Sequence, residues 1–541
     1  MKKYGIYLAY PPAVDLRTEG LGKHLSEFLK GAQVRGDVQF VIACPSWMRQ
    51  NLMELFDASG VNNDSFEILS PSKKPLLLST YELYTQYKNP KQRKGRFTKL
   101  TKFVSSAISS TTVSILKKIV GVRSVLMLIL IAIPAIVIML LVAVSSIFIR
   151  IALMLWSLLK KPLRYVKRKL LLSNRIVGKV SNVTTKPKDS SLVTWLYRLM
   201  EESEVSLMHS MIDARKDIAA WYSPTAFWPH FNQIRTPRLM CVPDVVLANF
   251  PVGFSNIGGQ RFLENFNQVE QAIASAQHFV TYSEEVKWQT LVERYHVSPN
   301  AIVVVAHGAN KLDHLVVVKG FADNEAATNA LCRNLFKQSL NKLVRVKSEN
   351  TFVSEDVKFI FYASQFRPNK NLITLLRAYE YLLKKRYIGH KLILTGNPFA
   401  LPEVADFIQK HHLENDVLCL KGLSSQELAA CYRLADLAVN PSLSEGGCPF
   451  TFTEALSVET PVVMARIPVT EEVITDQNLQ LDMLFDPYDW KDLANKIEWA
   501  LINREVLLAK QKILYDQLSQ RTWQHVVDDY VKILDEISLV K

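Results

Sequence analysis

Asn440-Pro-Ser-Leu-Ser-Glu-Gly-Gly-Cys-Pro-Phe-Thr-Phe-Thr-Glu-Ala455 is the stretch on which the reading of the fold turns. Ahead of it, Leu434-Ala-Asp-Leu-Ala-Val439 has the length and apolar content of a short buried strand. Behind it, Phe452 to Val458 reads as the first turns of a helix and Pro461-Val-Val-Met464 as the next strand. Strand, glycine turn, helix, strand is the repeating unit of a parallel α/β sheet, which takes its ligands at the strand C-termini. Glu445 and Glu454 flank the turn at Gly446-Gly447. Free N–H groups and the positive end of a helix make such a turn a seat for phosphate. Carboxylates, which only accept hydrogen bonds, suit the donor hydroxyls of a sugar. A lone Glu-Gly-Gly would read equally well as a solvated loop.

Working outward, the same pattern recurs on both sides. Val357-Lys-Phe-Ile-Phe-Tyr362 is a strand, and Ser364-Gln-Phe-Arg-Pro-Asn-Lys-Asn371 leads into a helix over Leu372 to Leu383. Arg367 and Lys370 stand three apart at that loop-to-helix junction, so a guanidinium fork and a point charge can converge on one anion such as a diphosphate. Basic residues at a helix start oppose the helix dipole, which argues against a merely decorative pair. Toward the N-terminus, Tyr4 to Ala9, Glu19-Gly-Leu-Gly22 and the helical spacing of Leu25, Phe28 and Leu29 give strand, glycine loop and helix. Val38 to Cys44 and Phe66 to Leu69 add strands. Gly20-x-Gly22 lacks the third glycine of a dinucleotide site, and it reads either as a steric requirement of the turn or as an approach to phosphate. The pattern resumes at Trp221-Tyr-Ser-Pro224, Arg238 to Val246, His278 to Lys287 and Ile302-Val-Val-Val-Ala-His-Gly-Ala-Asn310. Within these, Asp244 lies near an acceptor or caps a strand end, and His307 touches ligand or caps locally.

Together these stretches resemble the retaining GT-B glycosyltransferases of glycosyltransferase family 4, over roughly Tyr4 to Leu69 and Trp221 to the end. The resemblance implies an α/β protein of two Rossmann-like domains facing across a cleft. It also implies transfer of a sugar, with retained anomeric configuration, from a nucleotide-sugar donor to a lipid-linked or membrane-proximal glycan. That chemistry would belong to cell-surface polysaccharide synthesis at the cytoplasmic face of a membrane. By the same resemblance Glu445 approaches the donor sugar, Glu454 holds the ribose, and Arg367 and Lys370 bind the diphosphate and steady its charge as it leaves. Gly446, Gly447 and Gly22 would line the donor, Asp244 and His307 the acceptor. Two features depart from the family. Eight residues separate the glutamates, one more than usual, and Pro243 stands where many members carry histidine. These departures leave a second reading, a catalytically silent glycosyltransferase-like scaffold of a polysaccharide assembly complex. No cofactor is expected, and no metal, because two cations serve the diphosphate and no Asp-x-Asp motif stands at the site.

The chain has 541 residues, 48% hydrophobic and 21% charged, enough for two or three globular domains. Its net charge of +14 is concentrated, with Lys160, Lys161, Arg164, Lys167, Arg168 and Lys169 directly following an apolar run. That placement favours an anionic membrane surface over nucleic acid, for which no module is present. Six cysteines without metal-ligand spacing point to a reducing compartment. The apolar run at the N-terminus is too short for a signal peptide and reads as the first strand. The run itself is uncharged from Ser124 to Ile149 and resumes from Ile151 to Leu159. By pattern the strands on both sides share one sheet, so a single crossing would divide a domain, and two crossings need about 40 apolar residues plus a turn, more than the run provides. Residues 120–159 therefore read as a helical hairpin that dips into or lies along the bilayer, the alternative being a buried helix pair. The expected organisation is a first domain over 1–100 and 173–315, an insert at 101–172, a linker at 316–356, a second domain at 357–515 and a returning helix at 516–541.

Overall fold

Seven short strands form the first sheet: β1 (Lys2–Tyr7), β2 (Val38–Ala43), β3 (Phe66–Leu69), β4 (Ile218–Ser223), β5 (Arg238–Cys241), β6 (Phe279–Thr281) and β7 (Ile302–Val304). They are parallel throughout and ordered β3-β2-β1-β4-β5-β6-β7. The second sheet contains β8 (Leu343–Val344), β9 (Phe359–Tyr362), β10 (Lys391–Thr395), β11 (Val417–Leu420), β12 (Leu437–Asn440), β13 (Val462–Ala465) and β14 (Leu484–Phe485). Its order is β14-β13-β12-β9-β10-β11-β8, parallel except where β8 pairs antiparallel with β11. In this computed structural model residues 1–12, 14–76, 78, 192–344 and 356–539 are described.

The strands read as apolar runs because both faces of each sheet are covered. Phe359 to Tyr362, Val417 to Leu420 and Val462 to Ala465 are buried at every position. The helices that matter below are α1 (Gly20–Arg35), α2 (Asn324–Leu340), α3 (Leu372–Lys385), α4 (Ser425–Leu434), α5 (Phe450–Ser457) and α6 (Trp523–Leu539). Their apolar stripes turn onto the sheets; in α3 these are Leu372, Leu375, Leu376, Tyr379 and Leu382. Each sheet reverses its winding once, between β1 and β4 and between β9 and β12. Ligands of open α/β sheets collect in the crevices at such points, and the loops after β1, β9 and β12 are those carrying Glu19 to Lys23, Arg367 to Lys370 and Glu445.

The C-terminal helix packs against the first sheet. Gly31 of α1 faces the Trp523 carbonyl so closely that a Cβ there would stand 2.4 Å from the oxygen. Tyr530 stacks edge-on against Tyr222 of β4 with centroids 5.0 Å apart. Lys2 and Tyr4 of β1 both bind Asp535. The stretch read as a polar, partly helical linker carries a helix and a short strand. It supplies α2, whose Cys332 and Phe336 are fully buried, and edge strand β8 of the second sheet. Phe336 stacks on Phe359 at 5.2 Å, so the apolar side of α2 completes the second core.

Two compact units divide the chain: one of Met1–Cys44, Gln50–Leu69 and Ile212–Lys541, which holds both sheets, and one of Pro45–Arg49 with Ser70–Met211. In the second unit, the buried Glu204 accepts hydrogen bonds from the backbone N–H and hydroxyl of Ser46, at 2.9 and 3.1 Å. Residues 101–172, expected as the membrane-associating insert, lie outside the described residues. Among the described residues no helix is long and apolar enough to cross a membrane. Strands β1–β3 before this stretch and β4–β7 after it are nonetheless one sheet.

Candidate active site

After β9 the chain is pinned to β10 by the Ser364 N–H, which donates to Thr395 Oγ1 at 2.8 Å. Pro368–Lys370 then makes one tight 3₁₀ turn, and Asn371, at φ 51°, turns the chain into α3. Asn369, buried in that turn, accepts the Leu443 N–H through its carbonyl at 2.8 Å. This bond ties the basic turn to the acidic one that follows β12. Lys370 Nζ accordingly meets Glu445 Oε1 at 2.6 Å, with each side chain 20% exposed. Burial would lower the Lys370 pKa, but the charges of Glu445, Tyr362 and Asp244 outweigh it and the net shift is upward, so the ammonium is held. Arg367 is more open. Its guanidinium donates to Glu19 Oε2 and Gln365 Oε1, both at 2.7 Å.

Asp244, in the loop after β5, shares this field. Burial raises its pKa; Lys370 and Arg367 pull it down and Glu445 pushes it up. Residues 244, 367, 370 and 445 are therefore electrostatic neighbours although they come from two sheets. The glycines between the glutamates have a steric reason as well. A Cβ on Gly446 would stand 2.0 Å from the Pro243 carbonyl oxygen, and one on Gly447 would stand 2.9 Å from Tyr282 Cβ and 3.1 Å from His307 Cδ2. Ser283 Oγ donates to the Gly446 carbonyl at 3.0 Å and also accepts the Val286 N–H, so it serves both the turn and the start of its own helix. Gly22 is of the same kind: a Cβ would fall 1.9 Å from the Leu16 carbonyl oxygen.

Glu454, on α5, is 5% exposed. Its Oε1 accepts from Asn310 Nδ2 at 3.2 Å and pairs with Lys23 of α1. Lys23, Glu19 and Asn310 were not singled out from the sequence. A signal existed for Lys23, since it is a cation in the first turn of a helix, the same anomaly that marked Arg367 and Lys370. Nothing in the local sequence marked Asn310, because its partner is 144 positions away.

His307 sits in an aromatic cluster, half-buried, with its ring 3.9 Å from Tyr282, 4.9 Å from Phe450 and 5.5 Å from His24. Its Nδ1 and both nitrogens of His24 are buried without a hydrogen-bond partner. Burial pushes His24 down to about 4 and His307 well below its ordinary value, with the neighbouring His24 and Arg521 adding to the latter. Both are neutral in the folded protein at neutral pH. Unfolded, each titrates near 6.5, so the unfolded chain takes up protons first as the pH falls. Stability should be unaffected above pH ~6.5 and fall below it, His24 alone removing about 3 kcal/mol by pH ~4. Urea melts at pH 7.5 and 5.0 check this. His24→Phe should lose less stability over that interval than the wild type, and parallel losses would refute the assignment.

Comparison with known proteins bears on the second sheet most directly. Residues 345–517 match the family described as glycosyl transferases group 1. This group 1 domain spans the strand-turn-helix units that carry Arg367, Lys370, Glu445 and Glu454. The lipopolysaccharide 1,2-N-acetylglucosaminetransferase of Salmonella typhimurium is 23% identical over 37% of the chain and 54% of its own length. The serotype-specific mannosyltransferase WbdA of Escherichia coli is 30% identical over 29% of the chain and 19% of its own length. The chain thus spans about half, or less, of these relatives. Among solved structures, a glycosyltransferase from Rickettsia africae superposes with a TM-score of 0.51 at 14% identity, covering 99% of both chains. Anabaena HepE in complex with UDP and glucose gives 0.54 at 12% identity, covering 99% of this chain and 100% of its own. The shared fold is the two-domain α/β arrangement of GT-B glycosyltransferases. Among the described residues no group of three or more His, Cys, Asp or Glu side chains could hold a metal ion.

Proposed function

We propose that this protein is a retaining glycosyltransferase of the family 4 type that draws on a nucleotide-sugar donor. Its acceptor is a lipid-linked or membrane-proximal glycan of a lipopolysaccharide or O-antigen-like polysaccharide, met at the cytoplasmic face of a membrane. The observation that carries this reading is the meeting of Lys370 with Glu445 in the field of Arg367 and Asp244, at the switch point of the second Rossmann-like sheet. Separated in sequence, two cations and two carboxylates have no structural need to gather at a cleft. A diphosphate gives them one. Arg367 and Lys370 would take the diphosphate oxygens and stabilise the negative charge that grows as the sugar bond breaks. Glu445 would exchange Lys370 for the sugar hydroxyls and orient the ring. The leaving phosphate, on the face where the acceptor hydroxyl attacks, would take that hydroxyl's proton. Asp244 and His307 flank the acceptor side.

Glu454 would accept the ribose hydroxyls. Glu454→Gln should weaken nucleoside diphosphate binding, because an amide oxygen is a poorer acceptor than a carboxylate. Glu445→Gln should lower turnover more than nucleotide affinity. Isothermal titration with UDP and GDP tests the reading: binding of neither would sink it, and equal affinities of wild type and Glu454→Gln would remove Glu454 from the ribose. The two cations take the place a metal would have, so transfer should survive saturating EDTA; its abolition, with rescue by a divalent ion, would overturn that part.

A further inference from the structure

We infer that Lys23, on the first domain, is a positioning residue for the ribose-binding carboxylate of the second, and so sets how strongly the enzyme distinguishes ribose from deoxyribose. The inference rests on the ribose reading of Glu454 and extends it to a side chain that no motif marks.

Glu454 is nearly enclosed, its side chain 7% exposed, while Lys23 reaches it from the rim at 31%. Two hydrogen-bonded contacts fall on its Oε1: the Lys23 ammonium and the Asn310 amide. One carboxylate oxygen is thus held by two donors from the first domain. Beside it Asn310 Oδ1 is buried without a hydrogen-bond partner, and the Tyr432 phenol lies against the carboxylate, burial with the Glu454 charge raising its pKa. An ion pair made only for stability would leave no such unsaturated polar surroundings, since each unpaired buried group is costly.

The geometry also explains why the cation comes from α1. Lys23 stands one turn into a helix whose start is fixed by the contact of Gly22 with the Leu16 carbonyl, and whose far end is fixed by the contact of Gly31 with Trp523. A lysine on a rigid helix gives the carboxylate a set direction, where a mobile loop would not. With Lys23 in place the Glu454 carboxylate is aimed; without it the carboxylate is free to turn to Asn310 alone.

The test is isothermal titration of the full chain with UDP, GDP and their 2′-deoxy and 3′-deoxy counterparts. Wild type should prefer the ribonucleotide it binds by about tenfold over at least one deoxy form, the value of one charge-assisted hydrogen bond. Lys23→Met should shrink that preference to within about threefold by weakening the ribonucleotide and leaving the deoxynucleotide nearly unchanged. Lys23→Arg should keep most of it. A general loss of fold would weaken both ligands alike, so the ratio separates positioning from stability. Should Lys23→Met not fold, Lys23→Gln, neutral but still a donor, is compared in the same way. If Lys23→Met keeps the tenfold preference, or binds the ribonucleotide more tightly, Lys23 is a bystander or a competitor and the inference is wrong. If wild type itself shows no preference and Glu454→Gln changes nothing, the ribose reading fails and the inference falls with it.

Discussion

Lys370→Ala should lower kcat/KM for sugar transfer by about 10²–10³-fold, corresponding to the roughly 2.7–4 kcal/mol lost when a preorganised donor to developing negative charge is removed. The site concentrates its charge on this residue. Its ammonium is one-fifth exposed, paired to Glu445 at 2.6 Å, and favoured by the charges of Glu445, Tyr362 and Asp244 over the cost of burial. In a partly dried cleft such a charge interacts far more strongly than in water. Removing it would leave the carboxylates of Glu445 and Asp244 facing the incoming diphosphate with Arg367 as their counterweight. Nucleoside diphosphate affinity should fall as well, because the same contact serves the ground state. Arg367→Ala should cost less, about tenfold to a hundredfold, because its guanidinium is 45% exposed and already divided between Glu19 and Gln365. The check is release of nucleoside diphosphate from the donor selected by titration, with a thermal melt to show that each variant folds. Lys370→Ala activity within threefold of wild type would remove Lys370 from the chemistry, and with it the assignment of the cleft.

Replacing residues 120–159 by a short polar loop should shift the protein from the membrane pellet to the soluble fraction while the two-sheet unit stays folded. The length of this stretch and its low charge, with Arg123 and Arg150 its only charged residues and basic residues at both flanks, carry the first half of the expectation. The sheet carries the second. Strands β1–β3 precede the replaced stretch, β4–β7 follow it, and β1 pairs directly with β4. A sheet hydrogen-bonded in water has no means of closing across a bilayer, so both ends of the insert must emerge on one side. Transfer to a soluble acceptor analogue should survive the replacement better than transfer to a lipid-linked one. Single cysteines near positions 100 and 174 should both be shielded from an impermeant reagent on intact cells. Labelling of one but not the other would refute the one-sided arrangement, and a variant still in the pellet would relocate the membrane contact.

The turn at Gly446-Gly447 is pressed against Pro243, Tyr282 and His307, with no room for a Cβ at Gly446. Pro243 presents its carbonyl to that turn. The two features at which the chain departs from the pattern it resembles, the eight-residue spacing and Pro243, therefore meet in space.

Much of this was legible from the residues alone. Apolar runs such as Phe359 to Tyr362 are strands because a parallel sheet covered on both faces buries every position, and that leaves a signature in composition. The glycine turn and the cations at the start of α3 were legible for a similar reason: helix ends and tight turns impose their demands within a few residues. The α2 segment was harder, since its four buried positions are spread through a polar stretch. What lies beyond a single turn of chain left no local trace. That Lys370 faces Glu445, that Arg367 reaches Glu19, and that Lys23 and Asn310 hold Glu454 depends on contacts 75 to 431 positions apart in the chain. Periodicity and turn chemistry act over a single turn of helix or hairpin, whereas Lys370 and Glu445 meet because β9 and β12 are neighbours in one sheet, and the other partners are chosen by how two finished sheets pack. The sequence by itself determined the strands, the helices and the charged turns between them; the tertiary structure decided the strand order and which charge meets which, because only packing brings together side chains that no local rule relates.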